Sequence, residues 1–151
     1  MSFVASVAAP SAHGVGQLTY HFEWCPKYRY KMFRQQRFKD LLARILAELA
    51  DRVRVLIVEL GIEDDHVHVV VGLRPTHSVS GVFHEFKGAS ARALFEAEPK
   101  FRLRYPRGEF WSPGKFYRTV GDVDLETTRA YVRAQDHRQQ QLADYQTAQA
   151  A

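Results

Sequence analysis

The sequence has a single cysteine, Cys25, in 151 residues. No internal disulfide can form, and no zinc site can be built from cysteines. One lone thiol fits a reducing compartment, so a cytoplasmic location is expected. No apolar run approaches the roughly 20 residues needed to cross a bilayer, and no membrane partner is expected. The opening segment, MSFVASVAAPSAHGVGQ, carries no basic residue and is interrupted by Pro10. It reads as a flexible tail over residues 1–16 rather than a signal peptide. The chain also lacks a P-loop, a Gly-rich dinucleotide fingerprint and a Gly-x-Ser-x-Gly elbow. Nothing in it points to a nucleotide cofactor or a serine hydrolase.

What is present is enough for one folded domain. The chain is 46% hydrophobic and 25% charged, the balance of an ordinary globular protein with a real core. Its net charge is only +4, but the charge is unevenly spread. Residues 26–39, PKYRYKMFRQQRFK, hold six Lys/Arg and no acid, and residues 99–118, PKFRLRYPRGEFWSPGKFYR, hold six basic residues and one acid. The remainder of the chain is therefore net negative. Aromatic residues are interleaved in both stretches. Basic side chains neutralise phosphate and flat rings stack on unpaired bases, which makes single-stranded nucleic acid a candidate partner. A solvated basic surface over core aromatics is the plainer alternative.

Residues 17–25 alternate and are aromatic-rich, as a strand does. Between Arg34 and Val53 the apolar positions 38, 41, 42, 45, 46, 49 and 53 lie on one helical face. Residues 54–60 form a second strand, Gly61 to Asp65 a polar turn, and residues 66–73 a third strand, so the second and third strands are expected to form a hairpin. A second helix opens between Pro75 and Ser78, buries Val79, Val82, Phe83, Phe86, Ala93 and Leu94, and stops at Pro99. A fourth strand covers 115–121, and Asp124 can cap a last helix running to about 143. The order is β-α-β-β-α-β plus an extra C-terminal helix. It predicts an α+β, ferredoxin-like fold with a central antiparallel sheet, a domain spanning 17–143 and a frayed tail at 144–151.

The third strand opens with DDHVHVVVG, residues 64–72. Side chains two apart on a strand share a face, so His66 and His68 project together while Val67 and Val69 turn into the core. Two neutral imidazoles so placed can share one divalent metal, although a strand histidine is more often simply packed or hydrogen-bonded. On the last helix, Tyr131 and Gln135 stand four apart on one face. A tyrosine hydroxyl can act as a nucleophile and a glutamine carbonyl as a hard ligand; equally, they could be a core aromatic and a solvated amide. Together these parts describe phosphodiester chemistry.

DHVHVVV resembles the HUH motif. WCPKYRYKMF, FKGASARALF, FWSPGKFYRTVG and YVRAQ stand in the order and at the spacing of TnpA-type transposases, the small one-tyrosine HUH transposases of bacterial and archaeal insertion sequences. The resemblance covers about residues 18 to 140. It implies cleavage and rejoining of single-stranded DNA at hairpin-marked element ends through a 5′-phosphotyrosine, which the extra C-terminal helix would carry. It implies Mg²⁺ or Mn²⁺ held by His66, His68 and Gln135, with Tyr131 as nucleophile. It further implies a homodimer with composite active sites, with Gly121 as the pivot before the tyrosine helix. Lys115 stands where the family pattern suggests an aromatic.

Candidate DNA contacts by charge are Lys27, Arg29, Lys87, Arg92, Arg102, Arg104 and Arg107, with Lys87 and Arg92 expected to be exposed on the second helix. Asp65 can orient His66 from outside the ligand set, or serve the turn. The alternatives are a host-tamed HUH nuclease acting on chromosomal repeats, a non-catalytic ferredoxin-like single-strand binding module, and a two-histidine phosphoesterase. The last would need a second histidine motif, for which only THS at 76–78 is available.

Overall fold

Strand pairing begins with TYHFEW. In the computed structural model, which describes residues 18–114 and 116–120, this segment is β1 (Thr19–Trp24). Its alternation places Phe22 and Trp24 in the main core, while His21 and Glu23 take the other face. β1 pairs antiparallel with β3 (Val67–Gly72) on one side and β4 (Phe116–Thr119) on the other. β2 (Leu56–Ile62) closes the sheet beyond β3, giving the order β2-β3-β1-β4. This is the split-βαβ arrangement that the order of elements predicts.

Two helices feed the core. α1 (Gln36–Val53) buries Leu42, Ile45, Leu46 and Leu49. It ends at Arg54, which adopts a left-handed conformation (φ 60°) and returns its backbone N–H to Ala50 and Asp51. α2 (Val79–Ala97) starts at Ser78, whose hydroxyl accepts from the Gly81 N–H at 3.1 Å, a cap typically worth about 1 kcal/mol. It buries Phe83 and Phe86 edge-on against Phe22, with ring centroids 5.1 and 6.2 Å away. Val79 and Ala93 of the expected buried face are only partly buried, and Ala89, Ser90 and Phe95 lie deeper. Neither helix is long and apolar enough to cross a membrane.

The β2–β3 hairpin forms, with one correction to its turn. Gly61 lies within β2 opposite His68, and Ile62 pairs with Val67 and is fully buried. The apolar demand of Ile62 extends the strand past the glycine, so the turn is Glu63–His66, closed by the Glu63 N–H on the His66 carbonyl at 2.8 Å. An irregularity between Ile57 and Glu59 shifts the register of β2. The turn is anchored from below by Lys39, which is 4% exposed. Its ammonium donates to Asp64 Oδ1 at 2.7 Å and to the Phe33 carbonyl. One buried cation thus fixes the height at which the two histidines enter the sheet.

The tails at 1–16 and 144–151, Lys115, Gly121, and the expected last helix with Tyr131 and Gln135 lie outside the described residues.

Candidate active site

His66 ends the turn and His68 follows on β3, so the pleat sends both rings to the face away from the helices. Their centroids are 4.7 Å apart and the rings are nearly perpendicular. His66 is half-buried, and its Nδ1 lies 2.7 Å from Asp65 Oδ1. Asp65 Oδ2 accepts from Arg29 Nε at 3.1 Å. Burial pushes the Asp65 carboxyl up, but the hydrogen bonds from His66 and Arg29 outweigh it and hold the group below its ordinary range. Asp65 thus sits in the turn and is hydrogen-bonded to His66.

His68 is 3% exposed. Its Nδ1 lies 3.2 Å from His21 Nε2 and 3.7 Å from Glu23 Oε2. The His21 and His68 rings are nearly parallel, with centroids 5.4 Å apart. One donor atom from each of His21, Glu23 and His68 lies within 4.8 Å of the others. The sequence reading missed His21 and Glu23, which are 47 and 45 positions from His68. The signal was available: they alternate with Phe22 and Trp24, and β1 was expected to lie beside β3.

These surroundings keep His21 and His68 neutral. Burial lowers His68 to about 3, helped by His66, His21 and Arg29. Burial and then Arg118 lower His21 to about 4. A metal ligand must be the neutral imidazole, so the site fits a divalent ion in this respect. It also fits in orientation: His66 turns Nδ1 to Asp65 and His68 turns Nδ1 to His21 and Glu23, so the Nε2 atoms of His66 and His68 point away from those partners. The neutral burial of His21 and His68 carries a stability consequence. Unfolded imidazoles take up protons near pH 6.5, whereas these two resist until about 4 and 3. The stability gained from neutral burial is complete above pH 6.5 and is lost as the pH falls toward 4, by about 1.4 kcal/mol per pH unit for each ring. Urea unfolding of the metal-free protein at pH 7 and pH 5 should show this loss, and His21→Gln should reduce the slope.

The cationic residues divide by role. Lys27 forms an ion pair with Glu109, and Arg29 one with Asp65. Lys87 is half-buried rather than exposed, because the 112–114 loop lies over it: its ammonium donates to the Ser112 and Gly114 carbonyls at 2.8 and 2.9 Å. Arg92, Arg102, Arg104 and Arg107 are exposed. Arg104 stacks over Tyr30 at 4.3 Å and Arg102 over Phe95 at 4.5 Å. Tyr28 and Arg29 both have positive φ, 63° and 52°, a costly backbone for non-glycine residues. Tyr28 is 65% exposed beside the rings of Tyr30 and Tyr105, while Arg29 reaches Asp65. His77 of the THS segment lies at the entry to α2, with Nδ1 accepting from the Arg74 N–H at 2.8 Å and Nε2 2.9 Å from the Val53 carbonyl oxygen. It offers the phosphoesterase reading no second catalytic histidine.

The four-stranded ferredoxin-like sheet, with His66 at the turn into the central strand β3 and His68 on it, fits the class of small HUH transposase domains. The chain belongs to the IS200-like transposase family, whose description, "Transposase IS200 like", matches residues 14–135. Members of this class cleave DNA and transfer its strands. The chain is 30% identical over 121 residues to the ISDra2 transposase TnpA of Deinococcus radiodurans, covering 80% of this chain and 86% of that one. It is 32% identical over 110 residues to the transposase for insertion sequence element IS200 of Salmonella typhimurium, covering 73% and 72%. Among solved structures, a candidate transposase from Deinococcus radiodurans R1 aligns with a TM-score of 0.64 at 30% identity, over 78% of this chain and 90% of that one. A REP-associated tyrosine transposase bound to a REP hairpin shares the fold, with a TM-score of 0.56 at 13% identity over 83% and 70%.

Proposed function

We propose that this transposase cuts and rejoins single-stranded DNA at hairpin-marked ends, through a 5′-phosphotyrosine on Tyr131. The observation that carries the reading is the histidine pair. Asp65 engages His66 Nδ1, and His21 and Glu23 surround His68 Nδ1, so both rings are held with Nε2 pointing away from those partners. His66 and His68 would hold a divalent ion, with Gln135 as the third protein ligand. A bound ion supplies charge neutralisation and polarisation at the scissile phosphate. Tyr131 Oη attacks phosphorus, the bond from phosphorus to the 3′-oxygen breaks, and the proton given up by the phenol is balanced by the one the leaving 3′-oxygen acquires. The phosphotyrosine conserves the energy of the broken bond. A 3′-hydroxyl can therefore reverse the step on a new strand without a nucleotide cofactor.

Two imidazoles favour a transition ion over Mg²⁺, which prefers oxygen ligands. Mn²⁺ should thus support cleavage at lower concentration than Mg²⁺. A homodimer with composite sites, pivoting at Gly121, is part of the proposal, as are DNA contacts from Lys27, Arg29, Arg92, Arg102, Arg104 and Arg107, whereas Lys87 is taken up by the 112–114 loop. The test is incubation with hairpin-bearing single strands from the flanks of the gene, alongside the same sequences as duplex. Single strands should be cut to leave an extendable 3′-hydroxyl, and duplexes should stay intact. Equal cutting of both, or no cutting of either, would overturn the reading.

A further inference from the structure

An open cleft of about 440 Å³ lies between the end of β1, the 112–114 loop and the start of β4, with His66 in its wall. That volume is in the range of sites for small organic ligands. Its walls carry three distinct chemistries. Phe116 presents a ring that is 50% exposed. Glu23, the partner of Phe116 across β1 and β4, presents a carboxylate about one-third exposed. Arg29 presents a guanidinium. The remaining wall is fixed in place: Lys87 donates to the Ser112 and Gly114 carbonyls, and the Ser112 N–H donates to the Cys25 carbonyl at 2.9 Å. Gly114 needs its glycine for a φ of +115°, since a Cβ there would meet nothing within 4 Å.

We infer that this cleft holds one unstacked nucleotide of the DNA strand beside the cut phosphate, and that Glu23 selects cytosine or adenine over thymine there. The inference rests on the proposed single-strand cleavage and adds a specificity residue to it. An aromatic face stacks on any base and confers no choice. A guanidinium takes a phosphate without choice, and its specific base contact is with guanine O6 and N7 rather than with the three bases compared here. A carboxylate only accepts hydrogen bonds. Cytosine N4 and adenine N6 donate, whereas thymine places a carbonyl oxygen at the equivalent position, where it would face the carboxylate acceptor to acceptor. Glu23 is the group of the three that separates an amino from a keto base at that position. Its Oε2 is 3.7 Å from His68 Nδ1, so the edge being read sits beside the metal pair.

Cys25, the only cysteine of the chain, lines the same cleft and reports its occupancy. The rate of Cys25 alkylation is measured on the full chain in chelator, with short homopolymeric strands of deoxycytidine, deoxyadenosine or thymidine. Deoxycytidine and deoxyadenosine strands should protect Cys25 at concentrations about fivefold or more below thymidine strands. Glu23→Gln, whose amide both donates and accepts, should collapse that difference while keeping protection. Phe116→Ala should raise the protecting concentration of all three about tenfold. Strands that bind, by fluorescence anisotropy, without protecting Cys25 would overturn the inference, as would a preference unchanged in Glu23→Gln. The assay needs neither Tyr131 nor a metal. Protection without any covalent adduct under cleavage conditions would sink the cleavage reading alone, and an adduct without protection would sink the cleft alone.

Discussion

Replacing Tyr131 with phenylalanine is expected to abolish strand cleavage and the covalent protein–DNA adduct, while hairpin binding stays nearly unchanged. Only one oxygen is removed, and the aromatic ring is kept. Losing the nucleophile of a covalent mechanism typically lowers turnover on the order of 10⁴–10⁶-fold. The split between binding and chemistry is the informative part. A structural tyrosine would move stability or affinity and leave adduct formation largely intact, whereas a nucleophile does the reverse. Denaturing gels with end-labelled single strands read the adduct, and fluorescence anisotropy reads the binding. An adduct at the wild-type level in the variant would remove Tyr131 from the mechanism.

The second large effect is expected at the histidines. His66→Ala should reduce divalent-dependent cleavage by more than about 100-fold, since even partners of metal ligands cost roughly 10–100-fold when lost. Asp65→Asn should fall within that smaller range, because it weakens the hold on His66 Nδ1 without removing the ring. His66 is the better choice than His68, which is 3% exposed and packed against His21, so that its removal would also disturb the sheet. Single-strand affinity should change little in His66→Ala, and excess Mn²⁺ should partly rescue Asp65→Asn. Cleavage that persists in His66→Ala at the wild-type rate would exclude this pair as the metal site.

Much of this arrangement is legible in the sequence because strands and helices impose periods. The alternation in TYHFEW and HVHVVV sets which residues enter the core, and the observed register pairs Glu23 with His68 and Trp24 with Val67. Once β1 lies beside β3, the placement of His21 and Glu23 around His68 follows from parity alone; sequence separation hid it. The extent of β2 was misjudged because Gly61 signals a turn locally, while the burial of Ile62 decides the outcome. Counting charge misleads in a similar way. Lys39 belongs to a basic stretch and Lys87 to the expected exposed face of the second helix, yet one is buried on Asp64 and the other holds down the 112–114 loop. Helical periodicity says which face meets the sheet and nothing about which loop folds over the other face. The motif DHVHVVV identifies the pair itself, but the partners that fix the ring orientations come from β1 and from Arg29.

The most direct test is to incubate the protein with single-stranded DNA from the flanks of its gene, with Mg²⁺ or Mn²⁺ and in parallel with chelator, and to identify the species attached to the 5′ end of the cut. The account predicts a metal-dependent covalent adduct joined through Tyr131, with a free 3′-hydroxyl on the released strand. Cleavage undiminished in chelator, or a cut strand bearing a free 5′-phosphate and no protein, would contradict it.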